Sequence, residues 1–107
     1  MFISHHEYNN IKIIVDRNHL SILGNTEELL KLKPLDKKFE SFGFTTRTIN
    51  GHDFDQLRSS FYTMEPQVII ADTIKGNGVS YMEGKWEYHT IIPSERKLIE
   101  TGLKELS

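Results

Sequence analysis

Short apolar runs alternate with polar interruptions along the 107 residues, and the spacing of the apolar positions changes from run to run. The stretch I-K-I-I-V-D at residues 11–16 has the look of a strand. Residues 2–9 before it fit the end of a helix stopped by Asn9-Asn10, and residues 17–25 after it fit a loop. Asn25-Thr26-Glu27-Glu28 opens a helix, with Asn25 or Thr26 as N-cap and acids in the first turn. A second short helix is expected over residues 34–42, with proline near its start and Leu35, Phe39 and Phe42 on one face. Gly43 closes it.

Residues 44–49 read as a strand. Asp53 and Gln56 then stand three apart, a variant of the capping box, at the head of a helix that places Phe54, Leu57 and Phe61 inward. Residues 67–74 give another strand, and its V-I-I-A core is apolar at successive positions, as in a sheet covered on both faces. Lys75-Gly76-Asn77-Gly78 ends that strand, and a long aromatic-rich loop follows. A last helix opens at Pro93-Ser94-Glu95 with Ile99, Leu103 and Leu106 on one stripe.

The order β, α, α, β, α, β, loop, α predicts an α/β fold with parallel strands. Such strands end on one edge, and ligands bind outside that carboxyl edge. Two polar clusters fall there: Asp16–His19 after the first strand and Lys75–Gly78 after the third. Three strands make a thin sheet, and the first strand looks apolar enough to be buried on both sides, so an edge is expected to lie open.

Composition narrows the function. A net charge of −2 gives no reason to expect a nucleic-acid or anionic-membrane partner. The absence of cysteine excludes disulfides and thiolate metal sites. No apolar run is long enough to span a bilayer, and the first ten residues lack the basic and apolar parts of a signal peptide. A cytoplasmic location is the expectation.

Among candidate chemical groups, Asn18 offers a neutral hard oxygen suited to Mg²⁺ or Ca²⁺ beside a diphosphate, and equally suited to satisfying turn backbone groups. Lys75 with its two following glycines offers a charge and close backbone approach to phosphate, or a simple turn. His89, in W-E-Y-H, could donate to a phosphate or a substrate oxygen, or be structural. His5, His6 and His52 read as solvated or structural, and no Ser-His-Asp arrangement stands out.

Taken together these segments are more specific. N-N-I-K-I-I-V-D-R-N-H-L, G-N-T-E-E, N-G-H-D-F, V-I-I-A-D-T-I-K-G-N-G-V-S-Y-M-E, W-E-Y-H and the closing P-S-E helix occur in the order and spacing of transketolases. The chain resembles the C-terminal part of their thiamine-diphosphate-binding domain, the N-terminal subunit in split forms. The resemblance runs from about His5 to Leu106. It implies a partial parallel sheet flanked by helices, with residues 1–107 as one partial thiamine-diphosphate-binding domain. It implies thiamine diphosphate and a Mg or Ca ion as cofactors, and transfer of a two-carbon ketol unit between sugar phosphates. By the same resemblance Asn18 and the Leu20 carbonyl are metal ligands, Lys75 lies near the diphosphate, and His89 contacts cofactor phosphate or sugar as the catalytic candidate.

Departures from the family pattern accompany it. No Gly-Asp-Gly occurs, and no glycine precedes Gly24. The chain is expected to start within the helix after that motif, without the pyrimidine-binding domain and its activating glutamate. Leu23 stands where many members have Asp, and Thr90 where a glycine follows the histidine. The expectation is a component inactive alone, partnered by complementary transketolase chains or by a second copy at the open sheet edge. The alternatives are a non-catalytic remnant or interaction module, and a fragment of an enzyme like deoxyxylulose-phosphate synthase.

Overall fold

The computed structural model describes residues 1–65 and 67–107. In chain order the elements are α1 (Phe2–His5), β1 (Ile13–Arg17), β2 (Leu20–Ser21), β3 (Gly24–Asn25), α2 (Thr26–Leu29), α3 (Leu35–Glu40), β4 (Thr46–Asn50), α4 (Phe54–Tyr62), β5 (Val68–Asp72), a 3₁₀ turn at Trp86–His89, and α5 (Arg96–Glu105). The chain forms two compact units. The first comprises Met1–Arg17 and Leu32–Thr73, and the second Asn18–Lys31 and Ile74–Ser107.

The first unit holds the main sheet, ordered β1-β5-β4 with both pairings parallel. β5 takes the centre because V-I-I-A is apolar on both sides. Val68 and Ile70 join Phe44 on one face, where Ile3, Ile13, Val15, Leu35 and Phe39 pack against them. Ile69 and Ala71 join Ile49 on the other face, under Leu57 of α4. The α/β class with a parallel sheet flanked by helices is as the sequence led one to expect.

Side-chain chemistry fixes the helix ends. Asp53 accepts from the backbone N–H of Asp55 (2.9 Å) and Gln56 (3.0 Å), and Gln56 Nε2 donates back to its carboxylate at 2.8 Å. Gln56 Oε1 accepts from Asn50 N–H at 3.1 Å, which ties the cap to the end of β4. At the other end of α4, Lys12 Nζ donates to the carbonyls of Thr63 (2.7 Å) and Met64 (3.1 Å), a cation against a helix C-terminus.

Several boundaries and faces differ from the sequence reading. α1 stops at His5, short of Asn9-Asn10, and α3 ends at Glu40 with Ser41 as its C-cap. β1 starts two residues late and runs on to Arg17. Only alternate residues of β1 are covered: Ile14 on its second face is half exposed, because this is an edge strand and the helix on that face lies over the other strands. Phe54, at 84% exposure, and Phe61, at 46%, do not pack inward with Leu57. Residues 17–25 are not plain loop, since β2 and β3 form a small antiparallel hairpin there.

Candidate functional site

The four residues singled out by sequence, Asn18, Leu20, Lys75 and His89, all fall in the second unit. Asn18 follows directly on β1, and Lys75 follows β5 by three residues. The two strands end in register, with Arg17 opposite Asp72.

The Asn18 turn is built locally. Leu20 N–H donates to Asn18 Oδ1 at 3.0 Å, closing an Asx turn. His19 between them takes φ 62°, and its carbonyl accepts from both Thr26 N–H (2.9 Å) and Thr26 Oγ1 (3.1 Å). The hairpin pairs Leu20 with Asn25 and Ser21 with Gly24. Asn25 then caps α2, its Oδ1 accepting Glu27 N–H at 2.8 Å. A strand, an amide turn and a capped helix start thus follow within nine residues, and Leu23 lies exposed at the hairpin tip.

The Lys75 loop closes on itself. Gly84 N–H donates to the Lys75 carbonyl at 2.8 Å, and Val79 N–H to the Gly76 carbonyl at 3.0 Å. Gly76 has φ 72°, and a Cβ there would stand 2.8 Å from the Met82 carbonyl oxygen, so the turn admits no side chain. The far end is clamped to α5: Ser80 donates to Glu105 from both its N–H (2.8 Å) and its Oγ (2.6 Å). Those two hydrogen bonds, the hydroxyl's first, hold the Glu105 carboxyl below its usual pKa. Sequence reasoning missed this clamp. The S-Y-M-E segment and the end of the last helix were both visible, but nothing local links residues 25 apart. His89 closes the exposed 3₁₀ turn, where Tyr88 stacks edge-on against Tyr81 at 5.8 Å.

Asn18 and Leu20 are therefore joined directly. Among the described residues, neither Lys75 nor His89 is hydrogen-bonded to that turn or to the other. Of the metal ligands expected from the sequence, the Asn18 amide oxygen already accepts the Leu20 N–H. No group of three His, Asp or Glu side chains among the described residues could hold a metal. Mg²⁺ and Ca²⁺ require roughly six to eight oxygens, carboxylates usually among them. Two neutral oxygens, as expected from the sequence, fall short of such a ligand set.

Fold and turns define an α/β chain with a parallel sheet, in which Asn18 and Lys75 follow β1 and β5 in the sequence. No protein-family model matches it. Individual proteins do. It is 38% identical over 105 residues to a subunit of apulose-4-phosphate transketolase from Actinobacillus succinogenes, covering 94% of this chain and 38% of that protein. It is 32% identical over 107 residues to the protein of the same name from Phocaeicola vulgatus, covering 95% of this chain and again 38% of the relative. The crystal structure of transketolase from Campylobacter jejuni superimposes with a TM-score of 0.82 at 28% identity, over 97% of this chain and 17% of that one. The chain belongs to the transketolase family. It spans 38% of the length of the two bacterial relatives named first.

Proposed function

We propose that this chain is a transketolase-type component that contributes part of a thiamine-diphosphate and metal site and is completed by another chain. The observation that carries the reading is the rigid Asn18 turn. Its amide oxygen is held by the Leu20 N–H directly after β1, and no group of three His, Cys, Asp or Glu side chains among the described residues could hold a metal by itself. On this reading residues 1–107 are one partial thiamine-diphosphate-binding domain. Asn18 and the Leu20 carbonyl supply two metal ligands, Lys75 faces the diphosphate, and His89 faces phosphate or sugar. The remaining carboxylate and the pyrimidine-binding domain come from a complementary chain. Relatives named as single subunits of a transketolase support a division of this kind. Transfer of a two-carbon ketol unit between sugar phosphates is the cofactor's chemistry, and this chain's share is to hold and orient.

Titration of the isolated chain with thiamine diphosphate and Mg²⁺ tests the reading. No binding in the micromolar range and no ketol transfer are expected. Addition of a chain carrying Gly-Asp-Gly and the pyrimidine domain restores both, and Asn18→Ala in the mixture weakens the restored metal binding. Micromolar binding with turnover by the isolated chain overturns the proposal, as does failure of any complementary chain to restore activity.

A further inference from the structure

We propose that Tyr81, seated in a glycine notch of α5, is the positioning residue for His89; the inference rests on the reading of His89 as the group that faces phosphate or sugar. Consecutive residues of the loop after Lys75 bear on that helix. Val79 is buried, and its Cγ1 lies 3.4 Å from where a Cβ on Gly102 would stand. Ser80 donates twice to Glu105. The Tyr81 hydroxyl and Cε1 lie 3.0 Å and 3.5 Å from that same Gly102 position. Gly102 is buried inside α5, where glycine is otherwise an unfavourable helix residue. Its lack of a side chain is what lets the Tyr81 ring lie against the helix.

The Tyr81 ring carries this placement to the next turn. It meets Tyr88 with ring centroids 5.8 Å apart at 65°, the edge-to-face arrangement that aromatic pairs favour. In the 3₁₀ turn Tyr88 is partly covered, whereas Trp86, Glu87 and His89 are exposed. Tyr88 is therefore the anchor of the turn. Its backbone, at φ −77° and ψ 16°, departs from helix immediately before His89. Where Tyr88 is held thus decides where the chain presents His89. Tyr81 is itself held in place, because the N–H groups of Met82 and Glu83 after it both donate to the Val79 carbonyl at 2.9 Å. The loop that starts at Lys75 and the turn that ends at His89 share one support, α5 at Gly102.

Backbone ¹⁵N relaxation of the isolated chain reads the positioning without any cofactor. In the wild type Tyr88 and His89 are expected to show the order parameters of rigid backbone, about 0.85, and in Tyr81→Leu to fall below about 0.6. Gly102→Val, which fills the notch, should do the same, and Tyr81→Phe, which keeps the ring, should not. Unchanged values in β1, β4 and β5 show that each variant is folded. Mixed with a chain carrying Gly-Asp-Gly and the pyrimidine domain, Tyr81→Leu should lower kcat/KM for ketol transfer roughly tenfold, and Tyr81→Phe should restore it. The loss should vanish in a His89→Ala background, as it must if Tyr81 acts through His89. A wild-type turn that is already mobile, order parameters unmoved by Tyr81→Leu, or an equal loss of rate with His89→Ala each overturn the inference and leave the proposed function standing. A wild-type mixture without ketol transfer overturns the proposed function, and the inference with it.

Discussion

Individual residues divide into those whose backbone conformation is demanded by space and those where it is demanded by torsion alone. Gly76 and Gly84 both sit at positive φ, 72° and 68°. A Cβ at Gly76 would strike the Met82 backbone, whereas one at Gly84 meets nothing within 4 Å. Gly84→Ala should therefore cost only the torsional penalty, about 1–2 kcal/mol. Gly76→Ala should cost clearly more, and urea unfolding of the two variants checks the order. Glu105 is one residue whose behaviour depends on pH. Its folded pKa lies below the unfolded value because the carboxylate is the form that accepts from Ser80. Its contribution is complete above the ordinary carboxylate value of the unfolded chain and is lost as pH falls through the lower folded value. Amide exchange at Ser80, referred to its intrinsic rate, should lose protection over that acidic window, and Glu105→Gln should abolish the dependence.

At the scale of elements, the central strand and the cap of α4 were both legible in the sequence. V-I-I-A at residues 68–71 carries its burial in its own composition, and Asp53 and Gln56 carry theirs in a three-residue spacing. The faces of α4 were less legible. Periodicity groups Phe54, Leu57 and Phe61, but it does not say how wide the surface beneath them is, and Leu57 alone packs on the Ile49–Ile69–Ala71 cluster. Two-residue strands such as β2 and β3 have no period to read, so the hairpin behind the Asn18 turn was invisible although Asn18 itself was not. The contrast within α4 can be measured. Leu57→Ala should destabilise by about 2 kcal/mol or somewhat more, while Phe54→Ser should leave the urea midpoint nearly unchanged.

The first compact unit takes its core from around β5. Both apolar clusters are centred on this strand, and Val68 and Ile69 are fully buried. Ile69→Ala should cost about 2–5 kcal/mol, a large share of the total stability of a chain this size. Its denaturation midpoint should fall far below that of any helix-surface variant. No helix among the described residues is long and apolar enough to cross a membrane.

The placement of β5 also has a consequence for synthesis. The central strand is the last strand of the sheet to be made: β1 finds its neighbour 55 positions further on, as Ile13 with Val68, and β4 finds it 22 positions on, as Thr46 with Val68. At a translation rate of about 5–20 residues per second, the I-I-V segment of β1 waits roughly 3–11 s on the ribosome before its partner is polymerised. Throughout that interval a nascent apolar strand is without its ladder, which leaves residues 13–15 exposed to a chaperone during the chain's birth.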